Sequence, residues 1–173
     1  MLGLLVWLAL LQEEEPPPAR CTVDVVGMPV SVMSHHRLVV GDGDKRPLVS
    51  QLEVEVGGEA LRLRVLGLRY RGERWISRQE CEATGAPLAL TVEPLPAHVM
   101  FPCPPRGLTV ECPLCPGEAG ARVYLAEELP PIEMESWSRE VDMLLRAPGF
   151  HRELQHVVLH PGPNTVHAEL EPL

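Results

Sequence analysis

The sequence predicts an all-β protein, an antiparallel β-sandwich. Three observations carry that expectation. Short runs alternate polar and apolar residues with period two, most plainly over 51–66. The chain holds 19 prolines and 14 glycines, which interrupt helices and punctuate turns. No long stretch repeats its apolar residues at helical spacing. At 173 residues the chain suits one domain or two small β units, large enough to bury a core of its own.

Leu2 to Leu11 form one apolar run. Ten helical residues reach ~15 Å, half the ~30 Å hydrocarbon core, so the run does not span a bilayer. It suits the core of a signal peptide, although no basic stretch precedes it and no small-x-small site follows. We therefore assign 1–12 as a signal peptide or apolar N-terminal segment. Residues 13–20, with Glu13-Glu14-Glu15-Pro16-Pro17-Pro18, read as an extended solvated spacer.

An N-terminal β domain is expected over 21–100. Cys21 to Val26, Pro29 to Met33 and Arg37 to Val40 read as short strands. Gly41-Asp42-Gly43-Asp44 is a turn; as a calcium loop it lacks the closing bidentate Glu. His35 and His36 are adjacent, so on a strand they face opposite ways and cannot chelate one metal. Over 51–66, Gly57-Gly58 between two alternating runs predicts a tight hairpin. It would pair Val54 with Leu61 and Leu52 with Leu63 inward, and Glu53 with Arg62 and Gln51 with Arg64 outward. Leu66 to Tyr70 continues the sheet. Ser77-Arg78-Gln79-Glu80 resembles a capping box opening a short helix that Gly85 ends. Prolines 94, 96, 102, 104 and 105 mark a boundary or a sheet-to-sheet crossover near 84–104.

A second β domain is expected over 101–173, with strands at Leu108 to Cys112, Ala121 to Ala126, Val141 to Arg146, Leu154 to His160 and Thr165 to Leu170. Alternation turns Ala121, Val123 and Leu125 inward and Arg122 and Tyr124 outward. Val141, Met143 and Leu145 face the core, and Phe150 caps its end. A Pro161-Gly162-Pro163-Asn164 loop would pair Leu159 with Val166 and Val157 with Ala168. That register sets His156 opposite Glu169, with His160 and His167 as diagonal neighbours. His156, His160, His167 and Glu169 are thus a candidate Zn²⁺ or Cu²⁺ patch, against the plainer reading of an exposed polar face.

Five cysteines are present: Cys21, Cys81, Cys103, Cys112 and Cys115. Outside the cytosol they would pair and leave one over. Cys112-Pro113-Leu114-Cys115 has CxxC spacing. A redox motif needs a helix N-terminus behind the first thiol, and Pro116-Gly117 stands there instead. A zinc site needs a second ligand pair, for which Cys103 and Cys81 lack knuckle spacing. Structural disulfides among Cys81, Cys103, Cys112 and Cys115, or buried thiols, complete the alternatives. A Cys103–Cys112 bond would contribute roughly 2–3 kcal/mol through its short loop. Connectivity stays open.

Residues 108–173 resemble the PEGA domain family. Pro116-Gly117-Glu118-Ala119-Gly120-Ala121-Arg122-Val123-Tyr124-Leu125 is similar to the family's opening. Val141 to Phe150 is similar to its strand ending in Pro-Gly-aromatic, and Val157-Val158-Leu159 with Pro161 to Leu170 to its closing hairpin. Ala126 to Pro131 departs from the family's Asp-Gly turn. The resemblance implies a small envelope β-sandwich module that displays a surface and carries no catalytic residues.

Charge and motifs narrow the function. Lys and Arg number 15 against 24 Asp and Glu, a net charge of −9, which argues against a nucleic-acid binder. Aromatics at 4% leave few platforms for bases or sugars. No Gly-x-Ser-x-Gly elbow, phosphate loop or HExxH occurs. Glu133 and Glu135, like Glu13 and Glu15, sit in proline-flanked segments where burial would not raise a pKa. Trp137 reads as a loop anchor. The expectation is a non-enzymatic, exported cell-envelope protein without cofactor. It would bind a protein or envelope partner through a sheet edge or the 126–140 loop, with no membrane span in the mature chain. The alternatives are an extracytoplasmic Zn or Cu binder using the His patch or the cysteines, and a cytosolic zinc-dependent interaction module with reduced thiols.

Overall fold

The computed structural model describes residues 16–113, 115 and 123–173. The apolar run at 2–11, Glu13 to Glu15 and all of Pro116 to Arg122 lie outside the described residues. The first unit runs through β1 (Ala19–Val26), α1 (Val30–Met33), β2 (Arg37–Val40), β3 (Asp44–Pro47), β4 (Gln51–Val56), β5 (Leu61–Leu66) and β6 (Tyr70–Ile76). It continues through α2 (Arg78–Ala83), β7 (Leu88–Thr91) and β8 (Glu93–Pro94). Two sheets result, ordered β4-β1-β7 and β3-β2-β5-β6-β8. Their inner faces form one core: Val23, Val25, Val54, Val56, Leu88 and Leu90 against Leu38, Leu63, Val65, Tyr70 and Ile76. Burying one alternate set per strand is the physical content of the sandwich.

The inward set of β4 and β5 is the predicted one, but their partners are not. β4 pairs antiparallel with β1, and β5 pairs with β2 and β6. The expected hairpin is therefore a crossover between sheets. Neither Gly57 nor Gly58 takes the positive φ of a two-residue turn. The link 57–60 can reach ~13 Å, enough to step across the ~10 Å between packed sheets. Opposed across the sandwich, both apolar faces cover each other, which parity alone does not distinguish from pairing side by side. The ion pairs shift accordingly: Arg20 meets Glu55 and Arg62 meets Glu73.

Pro29 to Met33 is a helical turn and not a strand. Val32 and Met33 are both buried while Val30 is 70% exposed, a pattern that one strand face cannot give. The N-cap half of the capping box is present: Ser77 Oγ accepts from Glu80 N at 3.1 Å, while the Glu80 carboxylate pairs with Arg74. The helix stops at Thr84, in extended backbone, before Gly85.

The second unit contains β9 (Ala97–Met100), β10 (Thr109–Glu111), β11 (Val123–Leu125), β12 (Arg139–Arg146), β13 (Glu153–Leu159) and β14 (Gly162–Thr165). A sheet ordered β11-β10-β12-β13 covers a core of Val110, Val141, Met143, Leu145 and Leu159. Ala97, Phe101, Ile132 and Val166 close its other side. The first core ends at Val92 and the second begins at Ala97, so the division falls a few residues before the expected 100/101 boundary. Two ladders are parallel, β1 with β7 and β9 with β14.

Two expectations for this unit fail. On β11, Tyr124 packs against the core while Val123 and Leu125 are 55% and 38% exposed, the reverse of the predicted facing. Tyr124 carries the larger ring and sits opposite the buried Val110, so it takes the inward place. The closing hairpin is not made either. Gly162 to Asn164 of the expected Pro161–Asn164 loop, together with Thr165, form β14 beside β9. Asn164 stabilises the bend, its Oδ1 accepting from His160 N at 2.8 Å and its Nδ2 donating to His160 O at 2.7 Å. Val166, Ala168 and Leu170 still face the core, without a ladder to β13.

Candidate functional site

The His patch does not assemble. β12 and β13 place His156 opposite Asp142, which its Nδ1 contacts, and not opposite Glu169. His160 turns toward Trp137, whose carbonyl accepts from its Nδ1 at 2.9 Å. The His167 carbonyl accepts from Gln155 Nε2 at 2.8 Å. Losing the hairpin register separates the four groups. Among the described residues no set of three or more His, Cys, Asp or Glu side chains is arranged to hold a metal ion.

The cysteines pair differently from the example considered above. Cys21 and Cys81 sit at disulfide distance with Cα atoms 5.3 Å apart, linking β1 to α2 across 60 residues. Cys112 and Cys115 form the second pair, Cα atoms 5.4 Å apart. Cys103 is exposed and unpaired, so the Cys103–Cys112 bond does not form. Cys21 belongs to the bonded set, which the sequence reading of Cys81, Cys103, Cys112 and Cys115 left out. Only the packing of α2 on β1 reveals it.

The 126–140 segment is anchored at two points. Ile132 is fully buried and bridges Ala97, and Trp137 packs against the first core. Trp137 stacks on Tyr70, centroids 6.4 Å apart and planes 10° from parallel. Tyr70 meets His36 edge-on at 5.8 Å, and His160 lies 4.6 Å from Trp137 on the other side. Arg69 sits 5.4 Å over the Trp137 ring and donates to the Pro161 carbonyl at 3.0 Å. Gly162, with φ of 80°, brings its backbone against the Leu68 carbonyl, where a Cβ would lie 2.0 Å away. This chain of rings is the joint between the two units. Burial raises the Tyr70 phenol above its ordinary range. His36 is buried, its Nδ1 2.9 Å from Val32 O and its Nε2 without a partner among the described residues. The joint thus consumes Trp137 and His160 structurally, as the loop-anchor reading expects of Trp137.

One open surface is the outer face of the five-stranded sheet. Its registers align Arg37 with Pro47 and Leu66, and Lys45 with Val39 and Arg64. They further align Arg64 with Glu73, Arg62 with Trp75, and Arg71 with Glu93. Five cations therefore share this face with two carboxylates, on a chain whose net charge is −9. Arg62 binds both oxygens of Glu73, Nε and Nη2 each at 2.9 Å. Those hydrogen bonds first, and the guanidinium charge with them, hold the Glu73 carboxyl below the ordinary carboxylate range. Arg62 is raised in turn, with Asp42 contributing. Arg62 also lies 5.4 Å over the ring of Trp75, which is 57% exposed. Beside them a groove of about 500 Å³ is lined by Arg64, Leu66, Arg71, Glu73, Thr91 and Glu93. Arg64 Nε is buried there with no acceptor among the described residues. Alternation over 61–65 and 70–76 is legible in the sequence; that both outer rows share one sheet face is not.

No family model matches the chain, and neither the curated proteins nor the solved structures contain a match to it.

Proposed function

We propose that the chain is a non-enzymatic, extracytoplasmic binding module that presents the outer face of its five-stranded sheet to a protein partner in the cell envelope. The observation that carries this reading is the concentration of Arg37, Lys45, Arg62, Arg64 and Arg71 around an exposed Trp75 on an otherwise acidic chain. A face with an excess of one sign steers a partner of the other, and an exposed Trp supplies apolar contact area once the partner arrives. Export is supported by two cysteine pairs at disulfide distance, which an oxidising compartment would maintain. The apolar run at 2–11 is the proposed export signal. Among the described residues no helix is long and apolar enough to cross a membrane. The PEGA-like character of the second unit belongs to the same proposal, as the part that holds the first unit in place through Trp137.

The test is fractionation of cells expressing the full chain, wild type and Arg37→Glu/Lys45→Glu. The wild type is expected outside the cytoplasm and retained on the envelope fraction at low salt. The reversed face is expected to be exported equally and to wash off. A cytoplasmic wild-type chain, or retention indifferent to both salt and charge reversal, would contradict the proposal.

A further inference from the structure

We propose that the groove between Arg64 and Arg71 holds a carboxylate of an acidic peptide segment. The inference rests on the reading that the outer sheet face is the working surface, and it names the chemistry of the partner.

Three observations converge on it. Arg64 lies across the ladder from Glu73 and its charge acts on that carboxylate, yet the hydrogen bonds to Glu73 Oε1 and Oε2 come from Arg62. Arg64 Nε is buried without an acceptor, and the Arg71 side chain makes no hydrogen bond or ion pair among the described residues. The register that pairs Val65 with Gly72 makes the two arginines diagonal neighbours on β5 and β6, roughly 7–8 Å apart at the backbone. Two such forks converging on one groove suit a carboxylate, which accepts paired N–H donors in plane.

The lining also selects among anions. Glu73 and Glu93 flank the two arginines, so the charges lining the groove balance. A dianionic phosphate meets more repulsion there than a single carboxylate does. Leu66, 45% exposed, and the nearby Trp75 offer apolar surface for the side chains on either side of the acidic residue. A volume of about 500 Å³ holds one or two such side chains.

The experiment is calorimetric titration of the full chain at low salt with an N-acetylated tetraglutamate amide. Its tetraglutamine counterpart, inorganic phosphate and anionic phospholipid vesicles serve as separate arms. The glutamate peptide is expected to bind saturably and the glutamine peptide not at all. Arg64→Gln and Arg71→Gln should each weaken binding about tenfold or more, and Arg46→Gln, on the other side of the sheet, should not. Arg71 is exposed, so its variant keeps the test informative should Arg64→Gln fail to fold. Absence of peptide binding at about 1 mM, or binding indifferent to both variants, overturns the site. Tighter binding of phosphate or of vesicles overturns the carboxylate assignment. The fractionation result is read separately: an exported chain that ignores the peptide sinks the groove alone, and a cytoplasmic chain that binds it sinks the export reading alone.

Discussion

The two cysteine pairs give a sharp prediction because they enclose such different loops. Cys21 and Cys81 are 60 residues apart in sequence, Cys112 and Cys115 only 3. In the chain-entropy account a crosslink stabilises by restricting the unfolded chain, and the effect grows with the logarithm of loop length. The long loop is then worth about 4 kcal/mol and the short one about 1.5 kcal/mol. Burial does not blur the comparison, since Cys81 and Cys112 are 4% and 0% exposed and truncation leaves similar small cavities. For a chain of this size 1 kcal/mol moves the melting temperature by ~2–4 °C, so Cys21→Ala/Cys81→Ala should melt roughly 10 °C below wild type. Cys112→Ala/Cys115→Ala should fall by roughly half of that or less. Thermal melts by circular dichroism, with urea midpoints as a second measure, decide it. Equal losses in the two variants, or a Cys21→Ala/Cys81→Ala chain melting with the wild type, would refute the reasoning.

Other perturbations address the joint and the sheet face. Trp137→Ala should cost about 2–3 kcal/mol, less than a fully buried Trp, because Trp137 is only partly covered; urea unfolding reads it. Gly162→Ala and Gly149→Ala share a left-handed backbone, with φ of 80° and 82°, but only Gly162 has a backbone carbonyl where the Cβ would go. Both substitutions should lose about 1 kcal/mol to the backbone, and Gly162→Ala several times more from the clash; equal midpoints would dismiss the close approach at Leu68. The depressed Glu73 carboxyl stabilises the fold above the ordinary carboxylate range, and that contribution disappears as pH falls through its lowered value. Glu73→Gln should therefore be slightly less stable than wild type near pH 7, and the gap in urea midpoints should narrow as pH falls below the ordinary carboxylate range.

Parity was readable from the sequence and pairing was not. Val54, Val56, Leu63 and Val65 occupy the predicted inner face because alternation alone decides which side of a strand is greasy. Which strand lies alongside depends on where a loop leads, and the Gly57-Gly58 link crosses between sheets as readily as it would turn. The same gap undid the C-terminal half. Val166, Ala168 and Leu170 point inward as expected, yet Asn164 and Gly162 redirect the backbone to β9, and the metal patch built on the hairpin register went with it. Tyr124 inverted β11 because a large ring displaced two smaller residues from the core. The Ser77 cap needed only local chemistry and stands as read. The cationic face could not be seen in advance, since its five cations come from four strands and only the pairing of β2 with β5 brings the two hairpins side by side.

The central claim is that this chain works in an oxidising compartment, where its cysteine pairs are bonded. Protein recovered from cell fractions can be alkylated without reduction and weighed intact. The account predicts one modified thiol, at Cys103, on a chain found outside the cytoplasm. A cytoplasmic chain with all five cysteines alkylated would contradict it.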